Sequence, residues 1–344
     1  MVAVDLFSDT VTRPSAAMRR FMCEADVGDE QLREDPTVNL LQQMVAELLG
    51  KEAAVFLPSG TMCNQVAFAV HCRAGDEILL QELAHPLLYE VGGPAAMVGA
   101  VLRPLVGSGG LYSADQVRQA IRPPAYYMPR TRVISVEQTS NVAGGICWPL
   151  SQIEAVCETA HSAGLVTHMD GARLLNAVIA SGTAAHQFAA PFDSVWIDLS
   201  KGLGAPIGAV LAGSRDFIEE SWRYKQRFGG AMRQAGIVAA AGVYALRHHV
   251  NRLAQDHERA RSLARGLAEI PGIALDLSRV ETNIVIFDVA GTGLTGDQFG
   301  DRALAEGVRF SVLGPTLVRA VTHLDVPPDG IERALRAARS AARV

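Results

Sequence analysis

"SVWIDLSKGLGAPIGAVLAG", residues 194–213, sets one lysine where an apolar run breaks into glycines. Val195, Trp196 and Ile197 read as a strand buried on both faces, and Ala209–Ala212 reads as another. Between them Lys201 is followed by Gly202, Gly204, Pro206 and Gly208, which offer a cation almost no side-chain support. The same pattern extends outward. Ala53–Leu57, Glu77–Leu80, Arg132–Val136 and Leu165–Met169 are further short, mostly apolar runs. Helical patterns lie between them, such as Thr37–Leu49, whose Leu41, Met44, Val45 and Leu48 share one face. Asp35-Pro36 gives that helix an N-cap followed by proline at its first position. This alternation predicts an α/β fold with a mainly parallel sheet and helices on both faces. From Ala239 to Arg265 the pattern turns helical, and after Pro271 it becomes short strands and two helices. Residues 1–247 are therefore expected to form a large domain with an N-terminal arm, and 248–344 a smaller α+β domain.

Composition limits the function classes. A chain of 344 residues with 49% hydrophobic and 19% charged residues is ordinary for a globular protein. A net charge of −5 without a basic stripe argues against a nucleic-acid surface. No apolar run reaches the ~18 residues of a membrane span, and the early Asp5 and Asp9 are unlike a signal peptide. Five cysteines without C-x-x-C spacing fit reduced thiols in a cytoplasm, with neither a disulfide frame nor a zinc site.

Several motifs suggest chemistry they do not support. Gly291–Gly296, "GTGLTG", is a literal G-x-G-x-x-G after the strand Ile284–Val289. No acid follows at dinucleotide-site spacing in "SVLGPTLVRA", so a glycine-rich turn is expected. His248, His249 and His257 are expected on a solvated helix face, and no metal is expected there. Glu24, Asp26, Asp29, Glu30, Glu34 and Asp35 lack calcium-loop spacing and are expected to form a surface loop.

Three other features converge. "PSGTMCNQ", residues 58–65, follows a strand, and Ser59-Gly60-Thr61 would open a helix. Free N–H groups and the helix dipole make such a start a phosphate site. Asp170, in "LVTHMDGARLLNAV", ends a buried strand, where ligands bind in open α/β sheets and where a carboxylate needs a cation or proton donor. His168 falls on the same face, either orienting Asp170 or serving as plain core. Lys201 ends a third strand, and a desolvated lysine can form a Schiff base. A phosphate cradle, a carboxylate and a lysine are what pyridoxal phosphate needs.

"DLFSDTVTRPS", "VGDEQLREDPTVN", "GKEAAVFLPSGTMCN", "HMDGARLLNA", "LSKGLGAPIGAVLAG", "GGAMRQAGI" and "LVRAVTHLD" resemble the L-threonine aldolase and β-eliminating lyase family of fold type I pyridoxal-phosphate enzymes, in order and along nearly the whole chain. The resemblance implies an aspartate-aminotransferase-like fold and cleavage of L-threonine- or L-allo-threonine-like β-hydroxy-α-amino acids to glycine and an aldehyde. It implies that Lys201 carries the cofactor and that Asp170 pairs with its ring nitrogen. Gly60 and Thr61 would hold the phosphate, joined by Arg233 from a neighbouring subunit, and His85 would stack on the ring and lead the candidates for base. Ser8, Arg173 and Arg319 match residues that hold the substrate carboxylate, with Arg173 counted in the cofactor set as well. A homotetramer built from dimers that share active sites is implied too. Two departures lie on the substrate side. "VGDEQLR" has Leu32 where relatives carry an aromatic hydroxyl, and "EQTSN" has Ser140 where they carry histidine, so Ser140 is taken as a substrate contact. These losses keep open β-elimination, or another reaction at Cα, on the same scaffold. A non-catalytic binding protein is the rival from another class.

Overall fold

The computed structural model describes residues 2–343. Its main sheet has seven strands: β1 (Ala53–Leu57), β2 (Glu77–Gln81), β3 (Val101–Leu105), β4 (Thr131–Glu137), β5 (Val166–Gly171), β6 (Ser194–Asp198) and β7 (Ala209–Gly213). Their spatial order is β1-β7-β6-β5-β4-β2-β3. Six of these strands match the runs expected from sequence to within a residue or two. The seventh, β3, escaped that reading because it is an edge strand interrupted by Arg103 and Pro104. An edge tolerates proline, since one side of the strand has no ladder to donate to.

All pairings are parallel except those of β7, which runs antiparallel to both β1 and β6. Chain length explains this exception. A parallel return needs a crossover of a dozen or more residues, whereas only residues 199–208 separate β6 from β7. Lys201 thus sits inside a tight β6–β7 connection. Gly208 enters β7 at φ +105°, and a Cβ there would lie 2.3 Å from the Phe56 ring. Only glycine fits that approach.

Helices cover the sheet. Pro36–Leu49 begins at Asp35, whose carboxylate accepts from the N–H groups of Thr37 and Val38. The expected helical stretch after 239 is two helices, Gly236–His248 and Leu253–Ala268. A second hydrophobic cluster gathers Leu263, Leu267, Phe287, Phe299, Val318 and Ala338. It also takes in Val4 and Leu6 of the N-terminal arm, which runs beside Val308–Arg309. The small sheet there has β8 (Ile284–Asp288), β9 (Ser311–Val312) and β10 (Leu317–Val321), all antiparallel. "GTGLTG" therefore follows an antiparallel strand and ends in a helix capped by Thr295 and Gln298, which bears out the turn reading.

Two surface expectations are corrected. Asp35 and Glu30 of the acidic stretch are buried, Asp35 as a cap and Glu30 against Lys225 at 2.5 Å. His249 and His257 are also buried, on the Leu203 carbonyl and the Asn176 side chain respectively. Among the described residues no cluster of metal-ligating side chains occurs and no helix is long and apolar enough to cross a membrane.

Candidate active site

The carboxyl ends of β4, β5 and β6 lie side by side, with Glu137 opposite Asp170 and Asp170 opposite Trp196. β1 ends beside them and leads into Ser59, which caps the helix Gly60–His71. A cavity of about 480 Å³ opens over this edge. Ser8, Gly60, Thr61, His85, Asp170, Arg173, Lys201 and Arg319 all line it. Eight of the residues singled out from sequence thus meet in one place.

Lys201 Nζ lies 3.0 Å from Asp198 Oδ2 and over the Trp196 ring. Asp198 also accepts from the N–H and hydroxyl of Ser200. The start of the helix is open because residue 60 is glycine. A Cβ there would lie 2.3 Å from the Trp196 ring and 3.2 Å from Asp198 Oδ2, filling the cradle.

Asp170 is fully buried and accepts from the Ala172 N–H at 3.1 Å and from Asn64 Nδ2 at 2.9 Å. Burial, reinforced by the neighbouring Glu137 carboxylate, pushes its carboxyl up to about 7. A buried acid so raised is a site for a cationic or proton-donating partner. His85 has its ring Nδ1 on Glu90 Oε1 at 2.9 Å and donates its backbone N–H to Glu137 Oε2 at 2.7 Å. Burial opposes a charge on this ring, but the Glu90 bond and the nearby Asp170 outweigh it and hold the imidazole above its usual value.

The opposite wall is cationic. Arg173 grips the buried Asp9 with two bonds, at 2.6 and 2.8 Å. Arg319 Nη1 donates to Asn141 Oδ1 at 2.9 Å, while its Nε is buried without a partner. An orphaned guanidinium donor with a second guanidinium on the same wall suits an anion.

A family model described as beta-eliminating lyase matches residues 5–292. The chain belongs to the beta-eliminating lyase family. It is 41% identical to the low specificity L-threonine aldolase of Escherichia coli (strain K12), with 94% of each chain covered. It is 38% identical to low-specificity L-threonine aldolase 1 of Arabidopsis thaliana, covering 97% of this chain and 95% of that one. The fold resembles the threonine aldolase of Leishmania major, with a TM-score of 0.85 at 17% identity over 98% of this chain and 99% of that one. The fold is that of fold type I pyridoxal-phosphate enzymes.

Three residues singled out from sequence in this lyase-family chain stand away from the cavity. Ser140 is buried behind it: a Cβ on Gly110 would strike its side chain, and its backbone bridges Ile146. Asn141, the next residue, lines the wall instead. Leu32 is 67% exposed, and Arg233 pairs with Asp29 at 3.0 Å on the outer face. Sequence reading also left out Asp9, Asn64, Glu90, Glu137 and Asp198. Asp9, Asn64, Glu90 and Glu137 take partners from distant segments, which spacing along the chain does not reveal, whereas Asp198 pairs locally with Ser200 and Lys201.

Proposed function

We propose that this chain is a pyridoxal-phosphate-dependent aldolase that cleaves L-threonine- and L-allo-threonine-like β-hydroxy-α-amino acids to glycine and an aldehyde. The meeting of Lys201, Asp170 and the Gly60–Thr61 helix start in one cavity, opposite two arginines, carries this reading. The curated relatives named as threonine aldolases support the reaction class. The raised Asp170 carboxyl and the open Gly60 cradle fit the cofactor's ring nitrogen and phosphate.

When bound, the cofactor supplies an electron sink for the bonding pair at the substrate's α carbon. Lys201 Nζ would hold it covalently, and Asp170 would keep the proton on its ring nitrogen. Gly60 and Thr61 would hold the phosphate through their N–H groups. Arg233, turned away from its own cavity, would reach the phosphate of a neighbouring subunit. His85 would cover the ring and take the β-hydroxyl proton, directly or through a water it orders; such base help is worth ~10²–10⁴-fold. Ser8, Arg173 and Arg319 would grip the substrate carboxylate and fix which bond at Cα stands across the ring. On this reading residues 1–247 form the cofactor domain and 248–344 the smaller one, in a dimer of dimers with shared sites. Five free cysteines favour work in the cytoplasm.

A substrate panel tests the reaction. L-threonine, L-allo-threonine, phenylserine and serine are supplied to the loaded protein, and glycine and aldehyde are quantified. Glycine with a matching aldehyde is expected from at least one of them. If none yields both products, the aldolase reading fails, and ammonia with a keto acid from serine would put β-elimination in its place.

A further inference from the structure

Asp9 lies beneath the cationic wall and has no exposed surface. Its Oδ1 accepts from Arg173 Nη2 at 2.6 Å, and its Oδ2 accepts from Arg173 Nε at 2.8 Å and from Asn283 Nδ2 at 3.1 Å. Burial would push this carboxyl up, but Arg173 outweighs it and holds the group far below the usual carboxylate range. Asp9 is thus a fixed anion. It occupies one edge of the Arg173 guanidinium and leaves the remaining donors for the cavity.

Arg319 stands on the same wall without a carboxylate of its own. Its partners are the neutral Asn141 side chain and the Phe7 carbonyl. Both arginines line the same cavity; burial, and then the charge of Arg173, push the Arg319 pKa down, while Asp9 opposes this. Arg173, Arg319 and Asp9 together carry one positive charge, in the field of the Glu137 and Asp198 carboxylates and the Lys201 amine, which are the same in every variant below.

We propose that Asp9 is a positioning residue that sets the carboxylate corner at one positive charge, matching it to a single carboxylate and against dianions. The proposal rests on the reading of the cavity as an amino-acid site. Without Asp9 the corner carries two cations and Arg173 loses its bidentate anchor, so anions of higher charge gain. Charge repulsion or attraction over a few ångströms in a partly desolvated site is ample to shift an affinity ratio by tenfold.

Calorimetric titration of the cofactor-loaded protein with propanoate and malonate, a mono- and a dianion on the same three-carbon chain, measures this without turnover. In Asp9→Asn the malonate-to-propanoate affinity ratio is expected to rise about tenfold or more over the parent. In Arg319→Gln, which lowers the corner's charge, it is expected to fall. Asn283→Ser disturbs the same corner without changing its charge and is expected to leave the ratio as it is. If Asp9→Asn does not fold, Asp9→Ser removes the same charge with a smaller side chain and takes its place. A ratio that stays constant in the Asp9 variant, or that moves equally in Asn283→Ser, overturns the proposal. Aldolase failure appears separately, as missing glycine and aldehyde in the substrate panel.

Discussion

Asn64 Nδ2 donates to Asp170 Oδ2 at 2.9 Å and, with its other hydrogen, to Glu90 Oε1 at 2.8 Å. The same amide's Oδ1 accepts from the Trp196 indole at 2.8 Å. An indole only donates and a carboxylate only accepts, so the amide has one possible orientation. Its second acceptor contact, from His168 Nε2 at 3.1 Å, then fixes that ring's tautomer. His168 Nδ1 accepts from the Ser194 hydroxyl at 2.8 Å, and Ser194 accepts from His71 Nε2 at 2.8 Å. Burial holds His168 down to about 3 and His71 to about 4, so both are neutral near pH 7. Every hydrogen in this chain points towards Asp170 and Glu90. His168 is thus an orienter acting through Asn64.

Asn64→Ala would take one donor from each of two carboxylates and leave an indole and an imidazole without an acceptor. Each such buried group costs about 1–3 kcal/mol, so chemical denaturation should show a clear loss of stability. Asn64→Asp adds a third carboxylate and should also weaken cofactor retention, measured by equilibrium dialysis. Parent-like retention in both variants would remove Asn64 from the site.

The raised Asp170 carboxyl gives a pH signature. Burial, with Glu137 beside it, moves its pKa from 3.8 up to about 7 in the cofactor-free chain. A raised folded-state pKa contributes stability below the unfolded value that is lost as pH rises through the folded value. Over that window the contribution declines by up to about 1.4 kcal/mol per pH unit. Asp170→Asn lacks the effect, so the free variant should gain on the free parent as pH rises from about 4 to about 7. Thermal melts across that range check it; a constant gap would contradict it. The loaded variant should be nearly inactive, because an amide cannot hold the ring-nitrogen proton as a carboxylate does.

The buried Glu30–Lys225 pair gives the third prediction. Lys225 Nζ lies 2.5 Å from Glu30 Oε1 and over the Trp222 ring, and both side chains are fully buried. Burial pushes the Lys225 amine down, with Glu30 opposing it. Glu30 Oε1 also accepts from the Met232 N–H, and the Glu30 N–H donates to the Arg233 carbonyl, so the pair ties two loops together. Lys225→Met or Glu30→Gln alone strands a partner and should cost about 3–5 kcal/mol. The double variant should recover much of that loss in urea unfolding. Additive losses would argue against a coupled pair.

These residues mark where sequence was informative. Strands β1, β2 and β4–β7 were legible because burial on both faces writes a continuous apolar run, and Asp170 and Lys201 stood out as charges at the ends of such runs. Glu30 and Asp35 were read as solvated because neighbouring acids look alike in sequence; their burial depends on Lys225 and on a helix start. Asp9, Asn64 and Glu90 were silent for the same reason. A buried polar residue is defined by its partner, and Asp9 meets Arg173 across 164 positions. Ser140 failed differently. The resemblance, which puts a histidine at this position in relatives, implied the substrate side, but Ser140 bridges Ile146 with its side chain towards Gly110, and Asn141 lines the cavity instead.

Arg233 gives the last prediction. Its guanidinium is on the outer face, 3.0 Å from Asp29, while its backbone is held by the Glu30 loop. On the proposed reading, a cation so displayed, at the end of a glycine-rich turn, would serve another chain's cavity rather than its own. Arg233→Ala should leave the melt nearly unchanged, since an exposed pair contributes about 0–1 kcal/mol. It should nevertheless weaken cofactor retention about tenfold or more, the loss expected for a charge-assisted bond to phosphate. Mixing this variant with Lys201→Ala offers a sharper readout. In a hybrid dimer one cavity combines an intact Lys201 with an intact Arg233 from its neighbour, so activity should reappear from two weak parents. If mixed subunits stay as inactive as the parents while hybrid formation is demonstrated, Arg233 does not act across the interface.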